Sequence, residues 1–139
     1  MPVLRTLACV AAALSELDRV EAIGWHAARC WCDPHAFRRA VTRWIEGGAF
    51  PGLMLASVTQ APDFGLHSEG LALFTGQELR IEPELTQDMT GATRLALRLF
   101  DYLTERGSLA EPEALTGPEN SRIRLEPSAN GRFVRVSGE

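Results

Sequence analysis

The segment from Asp33 to Gly48 constrains the fold more than any other part of the chain. Asp33 offers a carboxylate to the free N–H groups of a first helical turn. Pro34 is pre-set at helical φ, at a position where its missing N–H costs nothing. Phe37, Ala40, Val41, Trp44 and Ile45 then recur at i, i+3, i+4, i+7 and i+8 as one apolar stripe. Gly47-Gly48 supplies the left-handed conformation that stops a helix. A helix with a single apolar side must lie against a second layer, so Phe37, Val41, Trp44 and Ile45 are expected to be buried.

The rest of the chain offers that layer. Residues 3 to 17 read as a first helix with Leu4, Leu7, Ala8, Ala11 and Leu14 as its apolar face. Val20 to Trp25 reads as a strand, followed by a short extended piece at Cys30 to Cys32. Leu53 to Thr59 has apolar residues on both parities, which suits a strand covered on both faces. Gly70 to Phe74 and Leu79 to Glu82 flank Thr75-Gly76 as a hairpin. Thr90 to Arg106 carries the stripe Ala92, Leu95, Ala96, Leu99, Tyr102 and Leu103, and Gly107 ends that helix. Ser108 to Ser121, with two prolines, reads as a mobile loop. Ile123 to Leu125 and Phe133 to Val136 flank Asn130-Gly131 as a terminal hairpin. At 139 residues the chain has the size of one domain. The expectation is a single α+β domain over residues 1–139, with a mixed, mostly antiparallel sheet and about three helices.

Charge and cysteine usage narrow the function classes. Eighteen acidic against fourteen basic residues give a net charge of −4. That is a poor field for nucleic acid, whose binding depends on Lys and Arg releasing phosphate counterions. Every basic residue is Arg, which fits the codon usage of a high-GC genome. The apolar run Leu7 to Leu14 falls well short of the roughly 20 residues a membrane span needs, so no membrane role is expected. Cys9, Cys30 and Cys32 make no disulfide framework. On one strand Cys30 and Cys32 would share a face roughly 7 Å apart, too far for an unstrained bridge. A reducing cytoplasm is the expected compartment.

Trp25 to His35, W-H-A-A-R-C-W-C-D-P-H, concentrates residues able to do chemistry. His26, Cys30, Cys32 and His35 are the types that hold zinc, with the first three on one strand face. Their spacing is not that of a zinc knuckle. The preferred reading is a buried strand leading into a helix, with the cysteines as small core residues and His26 bonded to a carbonyl. A Cys30–His26 nucleophilic pair lacks a group to orient the imidazole. His67 and Glu69 share a face of an extended chain and could act as an acid–base pair, while Ser68 points away. Glu78, Glu82 and Glu84 lack the looped convergence that hard cations require and read as a solvated strand edge. Arg38, Arg39 and Arg43 read as the solvated face of their helix.

The chain carries a Trp after a small apolar strand (Trp25, in W-H-x-A-R-x-W), a Pro-started helix with an aromatic (Pro34, Phe37), a Pro-led strand (Pro51) and the segment G-L-x-x-x-G-L-x-x-F-x-x-x-E-L (Gly65, Gly70, Phe74, Glu78). In this the chain resembles a bacterial domain family of unknown function over residues 21 to 106. The resemblance implies a shape and brings no activity. Cys30 and Cys32 are not part of the pattern.

These features suggest a non-enzymatic cytoplasmic module, without cofactor, that binds another protein as a partner or immunity-type domain. Its expected binding residues are His67, Glu69, Thr75 and Glu78. A hairpin at Thr75-Gly76 would gather them beside Gly70, leaving room for a ligand or a partner's backbone. One alternative is a small-ligand-binding protein or enzyme that uses the His67/Glu69 segment with His26. The other is a structural-zinc protein.

Overall fold

Six strands form the main sheet in the order β3-β4-β5-β8-β7-β6 in a computed structural model that describes residues 2–139. They are β3 (Ser57–Gln60), β4 (Leu66–Glu69), β5 (Glu78–Ile81), β6 (Glu113–Thr116), β7 (Arg122–Pro127) and β8 (Phe133–Gly138). Neighbours are antiparallel except β5 and β8, which run parallel because α5 (Met89–Arg106), β6 and β7 intervene between them. A separate hairpin pairs β1 (Ile23–Trp25) with β2 (Cys30–Cys32). The other helices are α1 (Pro2–Leu14), α2 (Pro34–Ile45) and the single turns α3 (Gly52–Leu55) and α4 (Ala72–Thr75). The architecture is α+β, with a mixed, mostly antiparallel sheet and three helices longer than two turns. Among the described residues no helix is long and apolar enough to cross a membrane.

Strand alternation gives the main sheet two unlike faces. Leu66, Leu79, Ile81, Ile123, Leu125, Val134 and Val136 point inward and are buried. They share one core with Leu95, Ala96, Leu99, Phe100 and Leu103 of α5 and with Phe37, Val41 and Trp44 of α2. Asp33 caps α2 by accepting the Ala36 N–H at 2.8 Å, and Asp88 caps α5 by accepting from Thr90 and Gly91. Trp44, Phe50 and Phe74 meet edge to face, with Trp25 stacked on Phe74 at 6.4 Å.

Several local expectations change. The segment read as one doubly covered strand from Leu53 to Thr59 is the turn α3 followed by β3, because Pro51 and Gly52 start a helical turn that packs on Leu97 and Phe100. Thr75-Gly76 is not a two-residue hairpin turn: α4 fills the connection, and β4 pairs with β5 directly. Residues 108 to 121 are not all loop, since β6 lies there. Ile45 ends α2 at 38% exposure, so the buried stripe stops at Trp44. In α1 the buried residues are Ala8 and Ala12, whereas Leu7 and Leu14 face outward. Small side chains let α1 approach α2 closely, and a helix apolar around most of its circumference does not reveal which side it buries.

Candidate functional site

The four residues expected to bind do not form one cluster. His67 and Glu69 lie on the outward face of β4, which is flanked by β3 and β5 and is therefore not a sheet edge. His67 Nε2 is 2.9 Å from Thr59 Oγ1 across the β3–β4 pair. Thr75 is buried at the end of α4, where its hydroxyl donates to the Gln77 carbonyl and accepts the Gln77 N–H. Glu78 accepts from the Ser68 hydroxyl and from the backbone N–H groups of Gly70, Leu71 and Ala72. A carboxylate occupied in this way satisfies the donors that open α4 and fixes the β4–β5 connection. Thr75 and Glu78 thus hold the chain's own turns.

Gly70 does not leave room for a visitor. Its φ of +94° suits glycine, and a Cβ there would come within 3.1 Å of the Ala27 carbonyl and of Ala28. The chain's own 3₁₀ turn, His26–Ala28, fills that space and brings the β1–β2 hairpin against the end of β4. Glu69 joins the contact: its carboxylate meets the Arg29 guanidinium at 2.9 Å. Arg29 ends the 3₁₀ turn in the left-handed region with φ 49°.

Among the described residues, the hairpin carries the least covered large side chain of the core-forming types. Trp31 is 79% exposed, while Trp25, its counterpart on β1, is buried. Gly24 lies opposite Trp31 in register, and a Cβ on Gly24 would sit 2.9 Å from the indole. The ring therefore lies flat on glycine backbone. Gly24, Trp25, His26, Arg29, Cys30 and Trp31 line a cleft of about 300 Å³. The Trp25 indole N–H is buried and has no acceptor among the described residues, an unspent donor on a residue of this cleft. The segment read as a buried strand is thus buried on one side only. Period-two alternation carried the signal: if Cys30 and Cys32 turn inward, Trp31 between them must turn outward.

The cysteines are poorly placed for chemistry. Cys30 Sγ donates to the Met54 carbonyl at 3.1 Å, and both thiols are half-buried. Burial, helped by the neighbouring Cys30, pushes the Cys32 thiol up to about 11, so it stays protonated near neutral pH. His26 sits in the 3₁₀ turn, outside the strand, so the shared strand face expected for His26, Cys30 and Cys32 does not form. Among the described residues no three His, Cys, Asp or Glu side chains are grouped to hold a metal ion.

On the outward sheet face, Thr59, His67, Arg80, Arg135 and Glu126 form one cross-strand row over five strands. Two arginines opposite each other on parallel strands repel unless a counter-charge separates them. Glu82 supplies it, at 3.4 Å from Arg80 and 2.8 Å from Arg135, and Asp63 takes the other side of Arg80. Of the three glutamates read as a solvated edge, Glu78 caps a turn and Glu82, just after β5, neutralises a central arginine pair, while Glu84 is exposed.

No protein-family model matches the chain, and neither the curated proteins nor the solved structures give a significant match. The pattern shared by Trp25, Pro34, Gly70 and Glu78 gains no family from these comparisons.

Proposed function

We propose that the chain is a non-enzymatic protein-binding module that grips its partner through the β1–β2 hairpin, with Trp31 as the central contact. The exposure of Trp31 carries this reading. A tryptophan laid flat on glycine presents a wide, stiff apolar surface with little entropy to lose, and Trp and Arg are over-represented among residues that dominate binding energy. Arg29, held by Glu69, supplies a charged rim beside it. An acidic or carbonyl-rich segment of a partner would accept from Arg29, whose side chain is exposed.

Catalysis through His67 and Glu69 is less well supported. Each is already engaged elsewhere, His67 with Thr59 and Glu69 with Arg29, so neither is free to act on the other. Affinity capture from the native lysate with wild type and Trp31→Ala, read by mass spectrometry, tests the proposal. A protein retained by wild type and lost by the variant supports it. Identical retention by both excludes the hairpin as the docking face.

A further inference from the structure

The outer face of α1 is independent of the hairpin and has its own logic. Val3, Leu7, Val10, Leu14 and Leu17 are each between 49% and 78% exposed. Their spacing is 4, 3, 4, 3, the alternation of the apolar seam in paired helices. Backbone bonds from Ser15, Glu16 and Leu17 back to Ala11, Ala13 and Leu14 carry the turn beyond α1 far enough to keep Leu17 on the seam. The opposite side of the helix, Ala8 and Ala12, is already buried within the chain. α1 is thus apolar on two sides, and only one of them is covered.

We propose that this seam pairs with the same seam of a second copy of the chain, the two helices running antiparallel about a two-fold axis near Val10. Three observations favour a second copy. The seam reads nearly the same in both directions from Val10, with Leu7 and Val3 on one side and Leu14 and Leu17 on the other, as a self-complementary antiparallel contact requires. Its flanking positions within α1, Leu4, Thr6, Ala11 and Ala13, carry no charge that would repel an identical helix, and the one flanking charge, Asp18, lies beyond α1. The five side chains expose on the order of 500 Å² per chain, so two faces supply about 1,000 Å², the lower bound of a specific interface. Antiparallel pairing also sets the helix dipoles head to tail. A lipid surface fits poorly. The helix's single cation, Arg5, is turned away from the seam, over the Trp44 ring at 5.0 Å and toward the Trp44 carbonyl.

Sedimentation equilibrium on the full chain tests the pairing. Wild type should approach twice the 15.2 kDa chain mass as concentration rises through the micromolar range. Leu7→Glu combined with Leu14→Glu should weaken self-association by at least about tenfold while leaving the melting temperature close to wild type. A wild type that stays monomeric at the highest concentration overturns the proposal, as does a double variant that dimerises equally well. Monomeric wild type that binds anionic phosphatidylglycerol vesicles would assign the face to lipid and would equally overturn the pairing. In a Cys9→Ser background, Val10→Cys should form a disulfide-linked dimer on mild oxidation and Val3→Cys should not. Cross-linking of Val3→Cys, with or without that of Val10→Cys, would overturn the antiparallel arrangement. These readouts do not involve Trp31, so the pairing and the hairpin proposal fail separately.

Discussion

The outward face of the sheet and the outward face of α1 are both open to solvent, yet they are built on opposite principles. On the sheet, the polar groups at the centre of the face meet partners within the chain: Arg80 and Arg135 share Glu82, Arg80 also holds Asp63, and His67 meets Thr59. On α1 and the turn that follows it, five apolar side chains stand in solvent, and Trp31 is in the same condition on its hairpin. The first surface is already satisfied and gains little from company. The second leaves apolar area in water, an unfavourable state that association relieves. On the proposed reading, the amount of polar chemistry on a surface is a poor guide to binding. A better guide is whether the chain completes that chemistry by itself.

The sharpest contrast lies between two tryptophans. Trp44→Ala removes a ring from the aromatic cluster with Phe50 and Phe74 and should cost about 3–5 kcal/mol, measured by denaturant unfolding. Glu78→Ala strands three backbone N–H groups and the Ser68 hydroxyl, and should cost about 1–3 kcal/mol in the same assay. A smaller loss would show that water satisfies the α4 donors. Glu82→Ala leaves Arg80 facing Arg135 without their shared counter-charge. Its cost should stay below about 1 kcal/mol and shrink in high salt, since the arginines are partly solvated.

Protonation gives a smaller effect with a definite sign. The Tyr102 hydroxyl first, and Arg106 second, hold the Glu113 carboxyl below its ordinary range. The folded chain therefore binds this proton less readily than the unfolded chain. The resulting stabilisation is complete above the ordinary carboxylate range and is lost as pH falls through the lowered value. Tyr102→Phe should narrow the gap in unfolding midpoint between pH 7 and acid, and an unchanged gap would remove Tyr102 as the cause. Trp31→Ala closes the series, with stability within about 0.5 kcal/mol of wild type.

Strong local chemistry was legible in the sequence. Asp33-Pro34 and the stripe behind it specified α2 up to Trp44, and the Thr90–Arg106 periodicity specified α5. The terminal hairpin also formed around Asn130-Gly131. Where patterns were symmetric, long-range packing decided the outcome. α1 offered two apolar sides, and only the alanines allowed close contact with α2. The segment from His67 to Glu78 held polar residues whose partners were the chain's own backbone, Arg29 and Thr59, none of them fixed by spacing along the strand. Gly70 was read as room for a ligand or a partner's backbone, whereas the 3₁₀ turn after Trp25 fills that space. Trp31 could have been placed outward by alternation with Cys30 and Cys32 alone.

If Trp31 is the partner contact and the satisfied sheet face is not, the dissociation constants of a captured partner for wild type, Trp31→Ala and His67→Ala must differ in a set order. Trp31→Ala should raise the Kd by about thirtyfold or more, the scale of a dominant interface residue, and His67→Ala should change it by no more than about twofold. The opposite order, with His67→Ala weakening the complex and Trp31→Ala leaving it intact, would contradict it.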